Sequence, residues 1–158
     1  MIEILVYMGL MSIFLLVLTE LFVSVLDLQT ASEALSSVEM DGRFINNGLY
    51  YDLARGKILT TPSSLGSVNS NLQLTDIDGQ TITYGQVGTN LVATISGQSY
   101  QLNSYDVLVS NPQFTRLGNG LGKEDTIRFK YTLTSVANRE TAGPEVRNYQ
   151  STFGLRPN

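Results

Sequence analysis

Two carboxylates stand in apolar surroundings near the start of the chain, Glu3 and Glu20, and their placement is what most needs a chemical explanation. An ionised carboxylate at the edge of hydrocarbon is costly unless paired, so an acid in such a run usually has a functional partner. Glu3 therefore calls for a positive charge, because pairing at low dielectric recovers part of the cost of burial. The competing reading leaves it at a water interface. Glu20 would lie about 26 Å further along a helix, near the opposite edge of a bilayer. A solvated or snorkelling carboxylate is the preferred account there, ahead of a role in subunit contacts. Gly9 and Ser12, small residues of the same run, are candidates for close helix–helix contact.

Elsewhere the chemistry is sparse. Asp76 and Asp78 with Gly79 have the start of a calcium loop but lack the downstream bidentate acid, so a hairpin turn is expected and no metal. Gly118, Gly120 and Gly122 have the spacing of a phosphate loop, but they follow a strand pattern and lead to another strand rather than a helix. That segment, and VANRETAGPE at 136–145, are expected to be exposed loops available for contacts with other subunits or cargo. With no cysteine and no histidine, the chain lacks thiol nucleophiles, the usual zinc ligands and the commonest general base. No G-x-S-x-G motif occurs, no cofactor is implied, and the expectation is that the protein is not an enzyme. Ten Lys and Arg against fourteen Asp and Glu give a net charge of −4 with scattered bases, so direct nucleic-acid binding is not expected.

The elements that must position Glu3 and Glu20 follow from the apolar pattern. Residues 4–26 are apolar except for Tyr7, Ser12, Thr19, Glu20 and Ser24, long enough to span a bilayer as a helix. A cleaved signal would need a basic start, a shorter apolar core and a small-residue cleavage site, and none of these is present. Helix-compatible sequence then continues to Arg55, with the first proline at Pro62, so one helix from about residue 3 to 55 is expected, half of it protruding. In the protruding half Leu28, Ala31, Leu35, Val38, Gly42, Ile45 and Leu49 form an apolar stripe, read as covering the chain's own sheet in preference to a dimeric coiled coil. Gly42 and Gly48 weaken this helix, and Gly56 is a natural cap. Strands are expected at 72–75, 81–84, 91–95, 99–102, 107–117, 126–135 and 146–155, with hairpin turns at Asp78-Gly79 and Ser96-Gly97. The fold class is thus α+β: a transmembrane segment at 1–26, an amphipathic continuation at 27–56, a connecting loop at 57–71 and an antiparallel sheet head at 72–158.

A long N-terminal helix of this kind, opening Met1-Ile2-Glu3-Ile4-Leu5-Val6, resembles the type IV pilin and pseudopilin family. The head, with DGQTITYGQVGTNLVATISGQSYQLNSYDVLVSNPQFTRLG followed by DTIRFKYTLTS, is similar to that of J-type minor pseudopilins. Two features depart from the pattern: a basic leader with its glycine cleavage site is missing, and Glu3 sits about two residues nearer the start than in the family. The expectation is that Met1 is not the natural N-terminus. Nor does the helix carry the mid-membrane proline of many pilins, Glu20 standing in that region, so no kink is expected there.

The resemblance implies a minor structural subunit of a type II secretion pseudopilus, type IV pilus or competence filament. It implies a single pass through the cytoplasmic membrane, an extracytoplasmic head, and processing and methylation at the N-terminus. Its partners would be other pilin or pseudopilin subunits, prepilin peptidase and an inner-membrane assembly platform. Glu3 would pair with the α-amino group of a neighbouring subunit. The alternative is a single-pass, membrane-anchored extracytoplasmic binding module.

Overall fold

With no proline and few β-branched runs to interrupt it, the chain forms one uninterrupted helix, α1 (Ile2–Arg55), of 54 residues. At 1.5 Å per residue it is about 81 Å long. The computed structural model describes residues 2–118, 125–139 and 143–155. After α1 come nine strands: β1 (Gly56–Thr61), β2 (Val68–Asn69), β3 (Leu72–Asp76), β4 (Thr81–Val87), β5 (Asn90–Ile95), β6 (Gln98–Gln101), β7 (Val107–Leu117), β8 (Thr126–Arg139) and β9 (Gly143–Gly154).

The head is antiparallel, as the alternation of apolar and polar residues requires, but its strands divide between two sheets. One runs β1-β3-β4-β5-β6, the other β2-β7-β8-β9. The segment 57–71, expected to be a connecting loop, supplies a strand to each. Its Lys57-Ile58-Leu59-Thr60-Thr61 stretch pairs with β3 through two register shifts, and Val68 and Asn69 pair with β7. Short edge pairings to distant partners leave little local periodicity, and the Ser, Asn and Gly around them dominate the local signal. Gly56 does not form the expected left-handed cap: it is absent from the glycines at positive φ and starts β1 directly. Its small size serves packing, since a Cβ there would lie 3.1 Å from Leu155 Cδ2. Both anticipated hairpin turns form, with Gly79 at φ 79° and Ser96-Gly97 at 51° and 84°.

The core lies where both sheets meet one stripe of α1. Leu72, Leu74, Ile82, Tyr84, Leu91 and Ala93 come from the five-stranded sheet; Val109, Phe114, Ile127, Phe129, Tyr131 and Leu133 come from the four-stranded one. The helix contributes Ala34, Val38, Asp41, Gly42, Ile45, Leu49 and Leu53. This seam starts later and ends later than the expected stripe. Leu28 is 71% exposed and Ala31 only half-buried, because α1 first meets the head near Ala34.

Candidate functional site

Residues 2–26 are all exposed, and an 18-residue window within α1 has a mean hydropathy of 2.3 with none of it buried. This is one helix long and apolar enough to cross a membrane, consistent with single-pass anchoring. An unbroken apolar rod of this size far exceeds the patch a soluble surface leaves in water, so it needs lipid or other chains around it. Its polar side chains are adapted to that setting. Ser12 Oγ donates to Met8 O at 2.8 Å and Thr19 Oγ1 to Leu15 O at 2.8 Å, so both hydroxyls are satisfied within the helix.

The four residues singled out by sequence all lie on this bare half, and none touches the head. A Cβ at Gly9 would meet nothing within 4 Å, which leaves the position open to a neighbouring helix. At about 100° per residue, Gly9, Ser12 and Glu20 fall within roughly 80° of one another around the axis. That sector is also the side from which the head hangs, through Ala34 and Val38. Glu3 stands roughly 100° away from Glu20. The two carboxylates therefore do not share a face, and within one chain Glu3 has no cation beside it among the described residues.

What fixes the bare half relative to the head is a set of polar contacts that periodicity does not reveal. Phe114, Phe129, Tyr131 and Tyr149 stack in a ladder across β7, β8 and β9, with centroid separations of 4.3, 4.5 and 5.2 Å. From its end, Tyr131 Oη donates to Gly42 O and Tyr149 Oη to Val38 O, each at 3.2 Å. These carbonyls are four residues apart, one turn of α1, so the tyrosines grip successive turns of one face. Gly42 makes the approach possible: a Cβ there would lie 2.5 Å from Tyr149 Cζ. Burial pushes the Tyr131 and Tyr149 phenols up, keeping them protonated donors.

Two further joints lie along the same helix. Asp41, buried on the seam, accepts from Ser104 N at 2.7 Å and Ser104 Oγ at 2.9 Å, tying α1 to the turn between β6 and β7. At the helix end, Asp52 accepts from Tyr84 Oη, and Arg55 donates to Asp78 Oδ2 at 2.5 Å. Asp76 Oδ1 is committed to the hairpin turn, accepting the N–H groups of Asp78 and Gln80 at 2.9 and 2.8 Å. Gly118 packs against Leu65, while Gly120 and Gly122 lie outside the described residues. The second expected loop, 136–145, is instead strand, its ends extending β8 to Arg139 and starting β9 at Gly143 because the two strands pair beyond the bulge, with 140–142 outside the described residues.

A feature missed by sequence reading is a second apolar stripe on the face of α1 turned away from the core. Met40, Phe44 and Tyr51 are exposed there at 67%, 59% and 59%. Their spacing of four and seven residues is the available signal, masked by the stronger core stripe behind it. No protein-family model matches this chain, and comparison with curated proteins and with solved structures returns no match.

Proposed function

We propose that this chain is a membrane-inserted structural subunit, of the minor class, in a type IV pilin-like filament. The observation that carries the reading is the single helix Ile2–Arg55, bare and apolar over its first half and clamped to a β head over its second, with Glu3 near its start. In this reading the chain crosses the cytoplasmic membrane once with its head extracytoplasmic, and an assembly platform moves it into a secretion pseudopilus, pilus or competence filament. Glu3 then pairs with the α-amino group of a neighbouring subunit, generated by prepilin peptidase. Removal from the bilayer exposes the apolar side chains of the whole 2–26 segment at once, and side-by-side packing with like helices covers them. The outward stripe of Met40, Phe44 and Tyr51 extends that apolar surface beyond the membrane half. The family resemblance of the opening residues supports the same reading, and the protein acts as a structural element rather than an enzyme.

The chain has no native cysteine, so single substitutions at Ile4 and at Leu10 give clean cross-linking probes in native membranes. Capture of other pilin subunits is expected, and Glu3→Ala should insert normally yet fail to enter filaments. Incorporation of that variant at the wild-type level would sink the charge-pairing mechanism. A second reading, an anchored extracytoplasmic binding module, is favoured by a shallow cavity on the four-stranded sheet lined by Asn111, Lys130 and Asn148 among others. It predicts that Glu3→Ala keeps full function.

A further inference from the structure

The solvent face of β7, β8 and β9 carries two cross-strand rows, Ser110–Thr132–Asn148 and Gln113–Lys130–Gln150. Between them β7 bulges at Asn111 and Pro112, two residues standing opposite the single Tyr131 of β8. Asn111 adopts φ 52°, a left-handed conformation that asparagine tolerates better than most residues. The bulge spreads the rows and opens a shallow cavity of about 340 Å³, lined by Asn111, Gln113, Lys130, Thr132, Asn148 and Gln150 together with Tyr131 and Tyr149 of the strands beneath.

The polar groups of the lining are amide, hydroxyl and ammonium, with no carboxylate, on a chain of net charge −4. Lys130 has no ion pair among the described residues. Arg128 precedes it by two residues on the same face of β8, roughly 7 Å along the strand and just outside the cavity lining. Its Nε is buried without a hydrogen-bond partner in the structure. Thr132 Oγ1 donates to Asn148 Oδ1 at 2.7 Å, which occupies the amide oxygen and leaves both Nδ2 hydrogens for a ligand. The site thus offers donors and positive charge together with amides that can pair with adjacent hydroxyls.

We propose that this cavity binds a carboxylated saccharide of the uronic-acid class. The carboxylate sits at Lys130, at the end of the cavity nearer Arg128, and the ring hydroxyls meet Asn148, Gln113 and Gln150. A bare anion would not use the amides, and a neutral sugar would not use the Lys130 ammonium. The volume is at the small end for ligand sites and suits one or two rings. The assignment concerns the head alone and does not depend on filament assembly.

The test is isothermal titration of the full chain in zwitterionic lipid nanodiscs with tetragalacturonate, maltotetraose and tetraglutamate. Tetragalacturonate is expected to bind saturably, with maltotetraose and tetraglutamate each weaker by about tenfold or more, since charge-assisted and neutral hydrogen bonds contribute separately. Lys130→Gln and Asn148→Ala should each weaken tetragalacturonate by about fivefold to tenfold. Lys57→Gln, on β1 and outside the cavity, should leave it unchanged. Circular dichroism of each variant establishes that it is folded. Absence of saturable tetragalacturonate binding by the wild type would overturn the proposal. So would equal affinity for tetraglutamate, which points to an acidic peptide, or equal effects of Lys130→Gln and Lys57→Gln.

Discussion

Gly42 and Gly48 occupy the same helix six residues apart, yet replacing each by alanine is expected to move stability in opposite directions. By intrinsic propensity both changes favour the helix by about 1 kcal/mol. At Gly48 nothing lies within 4 Å of the added Cβ, so that gain is realised. At Gly42 the Cβ would lie 2.5, 2.6 and 2.8 Å from Cζ, Cε1 and Oη of Tyr149. Ordinary carbon contacts begin near 3.5 Å, so the ring must retreat by about 1 Å. The retreat breaks the 3.2 Å bond from Tyr149 to Val38 O and opens the stack on Tyr131. A hydrogen bond is worth about 1 kcal/mol and an aromatic pair about 0.5–1.5 kcal/mol, against the propensity gain of about 1 kcal/mol. With overpacking strain added, Gly42→Ala should destabilise by about 1–3 kcal/mol. In urea that lowers the unfolding midpoint by roughly 1 M, while Gly48→Ala raises it by up to about 0.5 M. The assay is denaturation of the full chain in detergent micelles followed by near-ultraviolet dichroism. With no tryptophan in the sequence, that signal comes mainly from tyrosine. Tyr149→Ala should abolish the Gly42→Ala penalty in a double-mutant cycle. A Gly42→Ala midpoint at or above that of Gly48→Ala would refute the reasoning.

Asp41→Ala should cost about 1–3 kcal/mol, because the Ser104 N–H loses its acceptor, whereas Ser104→Ala removes one side-chain bond and should cost about 1 kcal/mol; urea midpoints compare them. Leu49→Ala, at a position with no exposure, should cost about 2–5 kcal/mol by the same assay. Burial raises Tyr84 above the ordinary phenol range, with the Asp52 bond and charge adding to it, and burial also raises Tyr131 and Tyr149. Their folded pKa values exceed the unfolded one, so stability is complete below about pH 10 and falls as pH rises beyond it. Thermal midpoints across pH 8 to 11.5 should be flat and then drop, and Tyr84→Phe should shrink the drop.

The long helix and seven strands from Leu72 onward were legible because each carries a sustained period. Seven turns of apolar helix and the alternation of Ile127, Phe129, Tyr131 and Leu133 leave few alternatives. The division into two sheets was not legible: it depends on β1 finding β3 and β2 finding β7, pairings that no local pattern encodes. The helix seam slipped for a related reason. Leu28 and Ala31 are as apolar as Ala34 and Val38, and only the position of the head along the rod decides which are covered. Asp41 reads as an ordinary solvent-facing acid until Ser104 is brought to it from 63 positions away. Of the candidate site, Glu3, Gly9, Ser12 and Glu20 were visible as interruptions of an apolar run. The outward stripe of Met40, Phe44 and Tyr51 hid behind the stronger one.

The tyrosine clamp also fixes an order of events in synthesis. Gly42 leaves the ribosome early but waits 89 residues for Tyr131, and Val38 waits 111 for Tyr149. Through that interval the seam of Val38, Ile45 and Leu49 has no cover from β8 or β9, while the preceding apolar half can already partition into lipid. Contacts of such sequence separation form slowly, because loop closure is paid for before packing rewards it. The last strand is therefore the latch on the first element. A chain interrupted before β9 keeps its anchor but loses the Tyr149 grip, and it presents an open helix seam and a long unpaired edge on β8 to chaperones and proteases.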